Sequence, residues 1–191
     1  MRILLIAPPR SGATTFSNWL SKELNLKWIN EPFNNNQLNN IELIFEFHTK
    51  HNIIAKITGN EYIHTQKDKW DLIIGLTRSN VDECSISFTK ALLENKTKDE
   101  WHTQYVLTNK WILENSVEIE KNKKEINTQI ENIINNLDID IQLTYEDVYY
   151  DKIKINKLYD LLKLKTLNYS YMLNNDKKYR IILNNNTKHI V

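Results

Sequence analysis

Ile3-Leu4-Leu5-Ile6-Ala7-Pro8-Pro9-Arg10-Ser11-Gly12-Ala13-Thr14-Thr15 is the stretch whose reading decides the fold. A short apolar run passes into a turn of small residues, and a helical pattern follows from Phe16 to Leu24. A buried strand, a tight loop and a helix in that order gather backbone N–H groups and a positive helix end around one point. Such a point suits a phosphate or a sulfate. A Walker A loop, G-x-x-x-x-G-K-[ST], would put a Lys there to reach the β- and γ-phosphates. Here Gly12 matches the second Gly, but Ala7 stands for the first and Ala13 for the Lys. The positive charge comes earlier, at Arg10, so an ATP or GTP hydrolase would lack its main phosphate-clamping cation.

Strand-like apolar runs recur at Ile3–Ile6, Lys27–Asn30, Ile53–Ile57, Leu72–Leu76 and Ile139–Leu143. Helical patterns fall between most of them, at Ala13–Leu24, Leu38–His51, Val81–Leu93, about Thr103 to Leu137, and Ile153–Leu162. The long segment is expected to divide near Asn115-Ser116, where helix propensity drops. Alternation of this kind predicts an α/β fold of three layers, a mainly parallel sheet with flanking helices. Continuous apolar strands such as Leu72-Ile73-Ile74-Gly75-Leu76 suit a sheet covered on both faces. Ligands of such sheets sit at the carboxyl ends of the strands. The Arg10 loop, Glu31, Thr58 and Arg78 each directly follow a predicted strand.

At 191 residues with 41% hydrophobic content the chain is read as one domain, residues 1–191. A net charge of +1 gives no general case for nucleic-acid binding, so any anion site has to be local. The lone cysteine, Cys84, excludes an intramolecular disulfide and fits a reducing, cytoplasmic setting. The apolar run Ile3–Ala7 is too short for a signal-peptide core or a membrane span and leads straight into the loop, and no His/Cys grouping has zinc spacing. Asn-rich runs such as Asn34-Asn35-Asn36 read as codon bias of an AT-rich genome, of a phage or a marine bacterium for example.

With these strand-end features in place, the chain resembles the sulfotransferases that use 3′-phosphoadenosine 5′-phosphosulfate (PAPS), over Arg2 to about Leu164. Pro9-Arg10-Ser11-Gly12-Ala13-Thr14-Thr15 is similar to that family's P-R-S-G-T-T loop, with Ala13 replacing the first Thr. The resemblance implies that Arg10, Ser11, Gly12, Ala13, Thr14 and Thr15 cradle the 5′-phosphosulfate. The segment from Asp71 through Arg78 to Ser87 resembles the family's 3′-phosphate site, with Arg78 as the clamp. The usual Ser spacing would fall on Ile86; a related pattern selects Ser87, with Ser85 in reserve. Tyr145-Glu146-Asp147-Val148 resembles the Y-E-D-L segment, which implies Tyr145 beside the adenine and acidic residues fixing the turn. Lys177-Lys178-Tyr179-Arg180 reads as a solvated basic turn.

The implied fold is the P-loop-NTPase-like one of sulfotransferases, and the implied product is 3′,5′-ADP with no metal required. Transfer would run in line to a hydroxyl of a small-molecule or carbohydrate acceptor, and Arg10 would stabilise the departing charge. The acceptor proton needs a base. Trp28-Ile29-Asn30-Glu31-Pro32-Phe33 resembles the family's E-P-[FL] element, which makes Glu31 the general base, with His48, His51, His64 and His102 as fallbacks. Lys56-Ile57-Thr58 resembles another branch's K-[TS] element but carries no His. Two alternatives stand beside this reading, a degenerate P-loop kinase or NTPase and a non-catalytic nucleotide-binding protein. Nucleic acid and membrane are not expected as partners, and a homo-oligomer stays open.

Overall fold

The first strand needs apolar neighbours on both faces, and it finds them at the centre of a parallel sheet. The computed structural model describes residues 1–32, 52–59, 67–94, 106–136, 138–150, 156, 158, 160–162, 182 and 183. Its elements are β1 (Arg2–Ala7), α1 (Ala13–Glu23), β2 (Lys27–Asn30), β3 (Ile53–Thr58), β4 (Leu72–Thr77) and α2 (Val81–Leu93). There follow β5 (Val106–Leu107), α3 (Asn109–Glu114), α4 (Ser116–Asn136), β6 (Ile141–Thr144), α5 (Tyr145–Tyr150) and β7 (Ile182–Leu183). A five-stranded sheet runs in the order β2-β3-β1-β4-β6, and all its neighbours are parallel. The short strands β5 and β7 pair separately.

Alternation along β1 divides the core into two layers. Ile3, Leu5 and Ala7 face Phe16, Trp19 and Leu20 of α1, together with Val148, Leu158 and Leu162. Leu4 and Ile6 face the other way, toward Trp70 and toward Ile133 of α4. Each large side chain buried this way contributes about 1.5–3 kcal/mol relative to exposure. The fold is therefore α/β with helices on both faces of a parallel sheet. Helix α2 lies along α4, where the amide of Asn122 donates to the Thr89 hydroxyl at 2.8 Å and Lys123 pairs with Asp82 at 2.6 Å.

Local signals explain the boundaries. Helix α1 ends in a Schellman motif: Asn25 takes a positive φ of 52°, its N–H reaches the Lys22 carbonyl, and the Leu26 N–H reaches that of Ser21. The predicted long helix divides at Asn115, whose side-chain amide and backbone N–H both donate to the Trp111 carbonyl. Among the described residues its first helix begins at Asn109. Val106 and Leu107 are extended, and Thr108 caps α3 by accepting from the Trp111 N–H at 3.2 Å. The last sheet strand begins at Ile141 rather than Ile139. There the Asp140 carboxylate accepts the Ile73 N–H, and Ile139 packs over Gly75. The predicted helix at Leu38–His51, the Lys177–Arg180 turn and the four fallback histidines lie outside the described residues. Among the described residues no helix is long and apolar enough to cross a membrane.

Candidate functional site

Because every strand of the main sheet points the same way, its register decides which loops meet. Ala7 lies beside Thr58, Ile6 beside Gly75, Thr77 beside Thr144, and Asn30 beside Lys56. The loop after β1, Glu31, Arg78 and Tyr145 therefore leave the sheet along one edge, its carboxyl edge.

The loop at residues 8–12 is held from within. The Ser11 hydroxyl donates to the Pro8 carbonyl at 2.9 Å and is 1% exposed, so Ser11 offers a ligand its backbone rather than its side chain. Gly12 takes φ 79° at the N-cap of α1 and supplies no side-chain cap to the helix. A Cβ there would stand 2.7 Å from Cδ2 of Tyr145. Only glycine combines that conformation with so close an approach. Ala13 is buried in the core, while Thr14 and Thr15 are half-buried at the start of the helix.

Arg10 also takes a positive φ, 63°. Its carbonyl accepts from Nη1 of Arg78 at 3.3 Å and from the thiol of Cys84 at 3.4 Å. Its Nε donates to the hydroxyl of Ser87 at 2.7 Å. Of the two serines considered, Ser87 thus belongs to this cluster. Ser85 donates to the Asp82 carbonyl within its own helix and lies away from Arg10 in the hydrogen-bond pattern.

Arg78 is the hub. Nη2 is paired with the Glu83 carboxylate, and the guanidinium sits 4.4 Å above the Tyr145 ring. Nε is buried without an acceptor among the described residues. An unmatched buried donor costs about 1–3 kcal/mol. Burial, the largest single influence, works against the Arg78 charge, but Cys84, Glu83, Tyr145 and Glu146 together outweigh it and its pKa is raised. Cys84 goes the other way in charge. Burial foremost pushes its thiol up to about 12, although Arg78 and Arg10 oppose the shift. It stays a neutral thiol.

Helix α5 supports this hub from below. Thr144 and Asp147 exchange hydrogen bonds, the Thr144 N–H to the carboxylate at 2.8 Å and the Asp147 N–H to the hydroxyl at 3.1 Å, which is a capping box. Glu146 accepts the Ser79 N–H at 3.0 Å and so ties the loop after β4 to the end of β6. Tyr145 is 6% exposed, packs on Tyr149 at a centroid distance of 4.4 Å, and carries Arg78 on its face. The Tyr149 hydroxyl donates to the Gly12 carbonyl at 3.4 Å.

Glu31 stands apart from this cluster, at the end of β2 with β3 between it and β1. Its φ is 47°, its N–H donates to the Lys56 carbonyl at 2.7 Å, and its carboxylate is paired with the Lys56 ammonium. Lys56 is buried, 4% exposed. Among the described residues three non-glycines have positive φ. Helix termination accounts for Asn25. Arg10 and Glu31 are the other two, both at the carboxyl edge, and strained backbone gathers at such sites.

Sequence reasoning did not single out Glu83 or Tyr149, and it noted Lys56 only within a K-[TS] element without pairing it to Glu31. Asn80-x-x-Glu83 is a visible helix-start pattern, and Tyr149 follows Tyr145 by one helical turn. Neither pattern names Arg78 or Gly12 as its partner. Among the described residues no group of His, Cys, Asp and Glu could hold a metal ion.

No family model and no curated protein matches the chain. Among solved structures it is similar to the YorR protein of Bacillus subtilis in complex with phosphorylated GDP, at 15% identity and a TM-score of 0.41, over 86% of this chain and 97% of that one.

Proposed function

We propose that the chain is a sulfotransferase that takes its sulfuryl group from PAPS and passes it to an acceptor hydroxyl of a small molecule or carbohydrate. The observation that carries this reading is the junction of two separate motifs: Arg78 holds the Arg10 carbonyl, and Ser87 holds the Arg10 guanidinium. Two cations, one glycine-tight loop and the N-terminus of an 11-residue helix then share one place. That combination suits a ligand with two separated anionic groups. The orphaned Nε of Arg78 fits the demand of a phosphate for a donor.

In this reading the backbone of residues 11–15 and Arg10 hold the 5′ end, and Arg78 holds the 3′-phosphate. Tyr145 acts through Arg78, whose guanidinium it supports from below. Glu31 takes the acceptor proton. Its carboxylate is paired with the Lys56 ammonium, which holds it at the end of β2.

Thermal melting with 3′,5′-ADP, 5′-AMP and ATP·Mg²⁺ tests the assignment. 3′,5′-ADP at ~100 times its dissociation constant adds roughly 2.7 kcal/mol, and 5′-AMP at the same concentration adds less. Greater stabilisation by ATP·Mg²⁺ would instead identify a kinase or NTPase. Sulfuryl transfer from labelled PAPS to an acceptor panel separates an enzyme from a nucleotide-binding protein.

A further inference from the structure

The guanidinium of Arg78 is only half used on the edge that matters. Nη1 serves the Arg10 carbonyl. Nε and Nη2 form the edge that meets a carboxylate or phosphate through two parallel hydrogen bonds. On that edge Glu83 occupies Nη2 alone, and Nε is buried with no acceptor among the described residues. The carboxylate is therefore an imperfect occupant, and a phosphate presenting two oxygens would satisfy both donors.

Glu83 also has somewhere else to go. It is the third residue of α2, after the N-cap Asn80, and its N–H already donates to the Asn80 side chain at 3.1 Å. In a complete capping box the side chain of that third residue turns back to the N-cap N–H. Here Glu83 reaches Arg78 instead. Its side chain is 33% exposed against 16% for Arg78, so it can swing while the arginine stays fixed by Arg10 and Tyr145.

We infer that Glu83 is a displaceable gate on Arg78: it occupies half of the arginine's binding edge and yields to the 3′-phosphate of the nucleotide, and so sets how strongly the site selects that phosphate. The gate rests on the assignment of Arg78 to the 3′-phosphate. It also explains how a half-buried arginine stays charged and oriented without a nucleotide.

Calorimetric titration of 3′,5′-ADP and 5′-AMP into the parent, Glu83→Gln and Glu83→Asp is the test. Glu83→Gln should bind 3′,5′-ADP roughly fivefold more tightly, the scale of a partly exposed ion pair, with 5′-AMP unchanged. Glu83→Asp keeps the acidic charge in the first turn of α2, which protects the helix, yet is too short to hold Arg78, and should show the same gain. If the parent prefers 3′,5′-ADP and neither variant binds it more tightly, Glu83 is no gate and the functional reading survives. A gain shared equally by 5′-AMP also overturns the gate. If the parent binds both nucleotides alike, the Arg78 assignment falls and the gate falls with it.

Discussion

Gly12 is where a single atom would do most harm. An alanine there would have to hold φ near 79° and place its Cβ against the ring of Tyr145, which is packed on Tyr149 and cannot turn aside. Gly12→Ala should lose about 1–3 kcal/mol, the range for a forced positive φ, read as a lower urea midpoint at unchanged slope. An unaltered midpoint would show that the loop relaxes freely and that its geometry is not built in. Cys84 gives a second reading at this scale. With its thiol held at about 12 by burial, it should resist iodoacetamide at pH 8 in the native protein and react once urea unfolds the chain. The same shift has a sign in stability. The folded state keeps the thiol proton up to about 12, whereas the unfolded chain releases it near 9.0. This contribution is fully present below pH 9.0 and is lost as pH rises toward 12, by at most roughly 1.4 kcal/mol per pH unit. Cys84→Ala should flatten that alkaline decline in parallel urea titrations.

At the scale of elements, α5 is short and depends on its cap. Its six residues carry Tyr145 and Tyr149, the two rings that press on Gly12. Removing the carboxylate with Asp147→Ala should cost about 1 kcal/mol and speed amide exchange in the loop at residues 8–12. If the melting temperature drops while exchange in that loop stays as before, α5 does not support it. The Thr144-x-x-Asp147 pattern was in the sequence all along, yet the segment read as a turn, because six helical residues carry too little periodicity to announce themselves. The division at Asn115 was legible, since Asn competes for backbone hydrogen bonds and stops helices. The start of α3 was not. Thr108 looks like any interior Thr until β7 is seen to hold residues 106 and 107 extended.

For the whole molecule, the edge strand β2 and the buried lysine of β3 link stability to the proposed chemistry. Glu31→Gln leaves the Lys56 ammonium buried against a neutral amide. The variant should be about 1–3 kcal/mol less stable, and its turnover should fall roughly 10²–10⁴-fold if Glu31 is the base. Affinity for 3′,5′-ADP should hold, because β3 separates Glu31 from the Arg10 loop. Full turnover in a folded Glu31→Gln protein would assign the base elsewhere.

Local chemistry alone determined the parallel α/β architecture, since runs such as Ile3–Ile6 and Leu72–Leu76 are apolar on both faces and only a sheet covered on both sides can bury them. It also determined the strand–loop–helix unit at the start of the chain, because β1, the loop with Arg10 and Gly12, and α1 are contiguous. Only the tertiary structure decided that Ser87 rather than Ser85 meets Arg10, that Lys56 answers Glu31, and that Glu83 shares Arg78 with an unfilled donor. Those pairings join residues 77 and 25 positions apart, and in the case of Glu83 depend on the rotamer of a single side chain. Sequence patterns report periodicity and local caps; the register of parallel strands, set by how whole faces pack, chooses which strand ends become neighbours.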